Sequence, residues 1–258
     1  MYLVTVTPEN AIQESFFCIK DTRRQGFKDK LQWFGKRFKE GLRIKILKNE
    51  EGKRLGFIEY VPGRNAWRPI DADNYMFIHC TYIYSMKERS KGYGSILISE
   101  AEKEAKALGM DGLCVMTSNG GWLANKDLFR KNGFEQIETK DRFELLSKTW
   151  IADADKPKFH NWTEQQKKYK GWHLRYADQC PWNEKSVFAI LNVALDYGVE
   201  LKVSKINTVN EAKRAPSGFG VFSLLHNGKL LDDHYLSATR FRNILKSELD
   251  KDKGLKQS

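Results

Sequence analysis

The stretch "YADQCPWNEKS", residues 176–186, sets Cys180 between a short apolar strand and the start of a helix. The N–H groups and dipole of a helix N-terminus lower a thiol pKa, so an exposed Cys180 there is a candidate nucleophile. A dithiol motif needs a second cysteine at position 183, and the chain has Asn183. Local disulfide closure is therefore excluded. Mixed-disulfide chemistry, sensing and substrate-thiol binding stay open, beside an incidental cysteine in a packing module. A second candidate is "ERSKGYGS", which carries Arg89, Gly92 and Gly94 as RxxGxG between an apolar strand and a long helix. Successive backbone N–H groups at such a turn can cradle a pyrophosphate, and glycines let it approach. The three-glycine dinucleotide fingerprint is absent. His79, inside "YMFIHCTYIYS", reads either as a general base or as a hydrogen-bonded core histidine.

The elements that must position these residues follow from periodicity. Residues 2–6 read as a strand, and "TPEN" offers Thr7 as a cap with Pro8 at the first helical position. Two helical stretches separated at Gly26 lead to a hairpin, "LRIKILKNEEGKRLGFIEYVP". Residues 75–85 are nearly continuously apolar and aromatic, as expected of a central strand covered on both faces. The helix after RxxGxG places Ile96, Leu97, Ala101, Ala105 and Leu108 on one stripe and ends at Gly109. "GLCVMTS" is a further strand and "LANKDLFRKNG" a further helix, which together give an α/β or α+β layer. Residues 151–170 are polar and charged and read as a connection. Beyond it come a strand ("WHLRYA"), a helix, a strand ("VELKVSKI"), a hairpin turned at Asn227-Gly228, and a last helix capped by Ser237.

Composition narrows the partners. The chain has 258 residues with 41% hydrophobic and 12% aromatic content, ordinary for a globular protein. Its net charge of +11 is spread: residues 1–150 hold 26 Lys and Arg against 20 Asp and Glu, and the rest 18 against 13. A binder of phosphate backbones concentrates charge on one face, so nucleic acid is not expected. The one basic cluster, residues 20–39, holds Trp33, Phe34 and Phe38 at helical spacing. It reads as an amphipathic helix with solvated lysines, or as a mouth attracting an anionic substrate. No basic start with a long apolar run and no membrane-length apolar window is present, so a soluble cytosolic protein without membrane partners is expected. Cysteines 18, 80, 114 and 180 share no metal-ligand or disulfide-framework spacing; Cys80 and Cys114 read as buried small hydrophobes, and no metal is expected.

"YIYSMKERSKGYGSILISEAEKEAKALG", followed by a strand and "LFRKNGFEQIE", resembles the GNAT superfamily of acyl-CoA N-acyltransferases. The resemblance covers roughly residues 1–150 and implies that fold with acetyl-CoA as co-substrate. It implies that the backbone of Tyr82, Ile83 and Tyr84 pairs with the pantetheine arm, and that the amides of Arg89, Ser90, Lys91, Gly92, Tyr93, Gly94 and Ser95 hold the pyrophosphate. It further implies acetyl transfer to an amine of a small molecule or peptide, with His79 placed where members often carry the base. Many members protonate the leaving thiolate from a tyrosine in "YxxxGF"; this chain has Phe129 in "FRKNGF". Tyr82, Tyr84 or Ser118 then donates, or the thiolate leaves unassisted. Trp122 in "SNGGWLAN" reads as lining the acceptor pocket or as core.

The second unit, residues 171–258, resembles a thioredoxin-like fold through its order β, α, β, β, β, α, the cysteine at the first helix, and Pro216 in "RAPSGFGVF", read as directly before a strand. Its fusion to an acetyltransferase resembles the YoaP-like family. That resemblance implies a cis bond between Ala215 and Pro216 facing the cysteine, and makes Cys180 a candidate for substrate handling. The functional alternatives are a CoA-binding sensor with reduced catalysis and a single-cysteine thiol-handling protein.

Overall fold

The structure, a computed structural model, describes residues 1–15, 19 and 21–255, the last four as backbone only; Cys18 and Lys20 lie outside the described residues. In chain order the elements begin with β1 (Tyr2–Thr5), α1 (Ala11–Glu14), α2 (Gln25–Phe38), β2 (Arg43–Lys48), β3 (Arg54–Pro62), β4 (Ile70–Asp71), β5 (Tyr75–Ile83) and α3 (Tyr93–Ala107). Then come β6 (Gly112–Ser118), α4 (Lys126–Arg130), β7 (Glu135–Lys140), β8 (Phe143–Thr149), β9 (Lys158–Phe159) and α5 (Trp162–Gln166). The rest is β10 (Trp172–Tyr176), α6 (Asn183–Asp196), β11 (Leu201–Lys205), α7 (Val209–Lys213), β12 (Phe222–His226), β13 (Lys229–Asp232) and α8 (Ala238–Leu255).

Seven strands form one sheet in the order β1-β2-β3-β5-β6-β8-β7. All its neighbours are antiparallel except β5 and β6. One face is covered by α3, whose buried residues are Gly94, Leu97, Ile98, Ala101 and Ala105. Ile98 therefore stands where Ile96 and Leu108 were expected: those two are exposed, because the helix is rotated to bring Gly94 and Ile98 onto the sheet. The other face carries α2, which buries Phe27, Lys30, Trp33 and Phe34.

Two N-terminal expectations change. The first helix starts at Ala11, not after Thr7, since the Asn10 side chain accepts the Thr7 N–H at 2.8 Å and turns the chain there. Gly26 lies inside α2 and does not break it. A Cβ at Gly26 would stand 2.1 Å from the Pro181 carbonyl oxygen, so glycine lets α2 press against the start of α6.

The second unit builds a four-stranded sheet, β11-β10-β12-β13, with β10 and β11 parallel and the remaining pairs antiparallel. Asn227 and Gly228, both at positive φ, make the hairpin turn. The Ser237 hydroxyl accepts the Arg240 N–H at 3.2 Å, as its capping role requires. The Ala215–Pro216 bond is trans, against the cis expectation; no described peptide is cis. Trans is the lower-energy isomer of an X–Pro bond, and Ala215 continues the turn that ends α7, with its N–H on Ala212 O and the Pro216 carbonyl held by Gln166. Five residues separate Pro216 from β12, so it does not immediately precede the strand.

Residues 151–170 are more than a tether. β9 pairs with β4, Trp162 is buried, and its indole N–H reaches Asp141 at 2.7 Å. One contiguous apolar core runs from Phe27, Trp33, Trp67 and Phe77 to Leu174, Ile190, Val221 and Phe241, so the two units bury their apolar faces together.

Candidate functional site

Strand β5 is paired with β3 from Met76 to Ile83, with one irregularity, but only from Tyr75 to Ile78 with β6, opposite Gly112 to Val115. From His79 onward the parallel strands separate. The edge of β5 that carries Cys80 to Ile83 thus has backbone groups without a strand partner, and an open sheet edge of this kind can take a ligand as an added strand. The gap is a narrow cleft walled by Ile78, His79, Cys80 and Thr81 on one side, Val115 and Met116 on the other, and Trp122, Leu123, Ala124 and Phe129 above. Tyr82, Ile83 and Tyr84 lie on the rim of the opening, Tyr82 exposed and the other two half-buried.

At the mouth the chain turns through Met86–Glu88 into α3. Ser90 (φ 65°) and Gly92 (φ 80°) are both left-handed, which points successive amides outward. Gly92 is the N-cap and no side chain caps the helix, so the first amides of α3 face solvent beside Arg89 and Lys91. Arg89 lies over the Tyr82 ring at 5.9 Å, and Lys91 is 2.9 Å from Glu88. Residues Arg89 to Ser95 form one exposed, donor-rich cradle, with only Gly94 buried, against Leu128 of α4.

Behind the cleft is a buried polar cluster that the sequence did not reveal. The register between β3 and β5 shifts so that Glu59 faces Cys80 and Tyr60 faces Ile78, leaving His79 as the bulged residue. Its Nε2 accepts the Trp67 N–H at 2.9 Å, and Nδ1 makes a bent contact with Glu59 Oε1 at 3.2 Å. Burial lowers the His79 pKa to about 4, outweighing Glu59, so the ring is neutral. Of the two readings of His79, the core histidine fits this geometry better: Nε2 accepts from Trp67, Nδ1 is buried against Glu59 and the side chain is shut off from solvent. Glu59 is ionised: burial pushes its pKa up, but Lys30 at 2.5 Å and His79 more than offset this and hold it at about 2. Gln179 of the second unit donates to the same Glu59 oxygen at 2.8 Å. The lysines of α2 are thus not all solvated. The signals were a lysine on the Phe27–Trp33–Phe34 stripe and a glutamate amid "LGFIEYVP".

Cys180 stands directly after Gln179 and is half-buried. Asn183 is buried, and its amide donates to the carbonyls of Ala177 and Val221, both at 2.9 Å. Asparagine there clamps the end of β10 to the approach of β12. Phe129 is fully buried on Phe134 at 5.4 Å and has no proton to give. The Ser118 hydroxyl accepts from Arg142 and from the Gly120 N–H. Trp122 is 44% exposed and lies tilted against the Tyr235 ring at 5.3 Å, so it belongs to the rim of the cleft and not to the core. Cys114 is buried on β6, as expected of a small hydrophobe. Asp232, Asp233 and His234 cluster nearby, already engaged by Arg142 and Arg240.

Residues 9–134 match the acetyltransferase (GNAT) family, and residues 200–243 match the YoaP-like family. The chain carries a GNAT acetyltransferase domain followed by a YoaP-like region. The GNAT domain makes the protein an acyltransferase that uses acetyl-CoA. It is 28% identical over 251 residues, 95% of this chain and 98% of the relative, to an uncharacterized N-acetyltransferase, YoaP, from Bacillus subtilis (strain 168). Solved structures similar to it include a ribosomal-protein-alanine N-acetyltransferase from Brucella melitensis (18% identical, 58% of this chain and 100% of that one, TM-score 0.43). Another is a streptothricin acetyltransferase from Bacillus anthracis in complex with acetyl coenzyme A (22%, 43% and 63%, TM-score 0.36). No described helix is long and apolar enough to cross a membrane.

Proposed function

We propose that this GNAT domain acetylates an amine whose binding pocket is completed by the second unit. The observation that carries the reading is the separation of β5 from β6 at His79, with the amide cradle at one end and Gln179 and Cys180 at the other. Acetyl-CoA supplies the activated acetyl group. The amides of Arg89 to Ser95, with the positive end of α3, bind its pyrophosphate. The free edge of β5 at Tyr82 to Tyr84 pairs with the pantetheine arm, and the backbone N–H groups near the bulge face the thioester carbonyl, where charge develops.

The acceptor attacks from the α2 face, where Cys80 and Glu59 point. His79 acts as a positioning residue: it fixes Trp67 and Glu59 and so the wall of the pocket. Glu59 is too acidic and too fully engaged to take the proton, so the amine enters as the free base. With Phe129 unable to donate, the CoA thiolate leaves without a tyrosine at that position. Cys180, with Gln179, forms the acceptor-side wall. The second unit's strand order, β11-β10-β12-β13, together with Cys180 ahead of α6, supports a thioredoxin-like reading of it in which the fold serves to recognise the acceptor.

Calorimetry with acetyl-CoA, followed by a CoA-release assay across an amine panel, tests the reading. Binding with turnover on some amine supports it. Tight binding without turnover on any acceptor supports instead a CoA-binding sensor, the reading that Phe129 favours.

A further inference from the structure

The charge balance behind the cleft does not close. Arg68 follows Trp67, whose N–H holds His79, and its side chain is buried, with 2% exposure. Its Nη1 donates to the Trp67 carbonyl at 2.7 Å; among the described residues the guanidinium makes no other hydrogen bond and has no carboxylate within ion-pair reach. The Phe219 ring of the second unit faces it at 5.1 Å. Glu59 is the carboxylate in the neighbourhood, and Lys30, Gln179 and His79 have already claimed it. Two buried cations, Lys30 and Arg68, therefore stand against Glu59 and a neutral histidine, while the half-buried Asp178, which also acts on Lys30, is bound to Lys205 at 3.0 Å. Burial lowers the Arg68 pKa, to about 10, which leaves it charged at neutral pH. A buried charge without a partner costs several kcal/mol, and removing it from the protein would be favourable unless something else completes it.

Position says what completes it. Arg68 adjoins Trp67, whose N–H is held by His79 on the wall of the cleft, and faces Phe219 of the second unit. Cys80 is on the wall of the cleft and pairs with Glu59 across β3 and β5. Arg68 thus stands on the acceptor face, where the strands part. A guanidinium is a planar fork matched to a carboxylate, and an aromatic ring on its face leaves the edge for such a partner.

Resting on the proposed acetyltransferase site, we infer that Arg68 anchors a carboxylate carried by the acceptor, which makes the acceptor a small amino-acid-like molecule bearing both an amine and a carboxylate. Phe219 and Gln179 wall the anchor and restrict the acceptor to a compact molecule. The amine end is directed toward the cleft, and the carboxylate supplies the missing negative charge.

The test uses the full chain loaded with CoA, titrated calorimetrically with N-acetylated common amino acids and with the matched N-acetylalkylamines lacking the carboxylate. At least one acetylated amino acid should bind, and its carboxylate-free match should bind about 100-fold more weakly or worse, as for a site left with an unpaired buried charge. Arg68→Lys should bind acetyl-CoA within about twofold of the unmodified chain yet lose that preference, since a lysine keeps the charge but not the fork. Failure of every acetylated amino acid to bind, equal binding of matched pairs, or an unaltered preference in Arg68→Lys overturns the inference. If Arg68→Lys does not fold, the matched pairs on the unmodified chain decide. A chain that binds neither CoA nor acetyl-CoA fails at the acetyltransferase reading, and the anchor falls with it.

Discussion

Replacing Glu59 by glutamine should be the most damaging single change behind the cleft, although the ion pair it breaks is worth little by itself. Glu59 Oε2 and Lys30 Nζ are 2.5 Å apart, and both side chains are 2% exposed. At an effective dielectric of about 20 their attraction is about 7 kcal/mol, and removing both ions from water costs several kcal/mol each, so the pair nets close to zero. Glu59→Gln is different: the size and the contacts to Gln179 and His79 stay, but Lys30 and Arg68 then lose their shared anion, and the carboxylate left near Lys30, Asp178, is already bound to Lys205. The expected cost is about 3–5 kcal/mol, a large part of the stability of an ordinary domain. Adding Lys30→Met should recover most of it, because that double change deletes both ions. Urea unfolding of the single and double variants reads this as a shifted midpoint at constant slope. The pH dependence is a second signature. Glu59 is depressed from 4.5 to about 2, so its stabilisation is complete above pH 4.5 and is lost as pH falls toward 2. His79, depressed from 6.5 to about 4, acts in the same direction at higher pH, since the unfolded chain takes up its proton first. Each shift amounts to about 3 kcal/mol, and Glu59→Gln should abolish the lower of the two acid losses. A cost below about 1 kcal/mol for Glu59→Gln, or no recovery with Lys30→Met, would refute the buried-network argument.

Other expectations follow from single positions. Gly92 has φ +80° and open space around it, so Gly92→Ala should weaken acetyl-CoA binding by calorimetry through about 1 kcal/mol of backbone strain in the cradle, without changing the melting temperature much. Gly94 is a poorer probe, because its Cβ would meet Leu128 at 2.7 Å and disturb the packing of α4 as well. Gly26→Ala should cost about 1–3 kcal/mol in urea unfolding by driving α2 off the Pro181 carbonyl. His234, raised to about 9 chiefly by its hydrogen bond to Asp232 and then by Asp233, contributes stability that is full below pH 6.5 and disappears as pH rises through 9; His234→Gln should remove that alkaline limb from a melting-temperature profile.

How much of this was legible in the sequence differs by layer. The glycine turn, the central strand and the long helix could be placed because local rules govern them: apolar runs at strand length, a 3.6-residue stripe and glycines at positive φ. The Asn227-Gly228 hairpin and the Ser237 cap belong to the same class. The start of α1 was misplaced because Asn10 and Thr7 are both good capping residues, and only the fold decides between them. Gly26 looked like a break because glycine disfavours helices; its real reason, the Pro181 carbonyl, lies 155 positions along the chain. The same is true of the buried network. Lys30, Glu59, Arg68 and Gln179 are each unremarkable in sequence, and their meaning comes from a one-residue bulge at His79 and from an interface between two units. Asn183 misled in the opposite way: read as a missing cysteine, it is a clamp whose two bonds to Ala177 and Val221 explain its presence without redox chemistry.

Under the proposed function, the interface gives the second unit a part in forming the acceptor pocket. An acetyltransferase domain with its acceptor face open would leave Phe27, Trp33, Trp67 and Phe77 partly in water, and Glu59 and Lys30 would be solvated and worth little. The second unit covers that face with Phe219, Gln179 and the start of α6, and so converts exposed charges into a dry, strongly interacting cluster. If the acceptor is recognised there, as proposed, recognition should be selective because each unmatched charge is expensive, and it should be lost when either half is removed. The two units should therefore unfold together, and deletion of residues 171–258 should leave a first unit that exposes its acceptor face and dissolves poorly. A cleanly soluble, cooperatively folded fragment of residues 1–170 would show that the shared core contributes less than its buried aromatic residues imply.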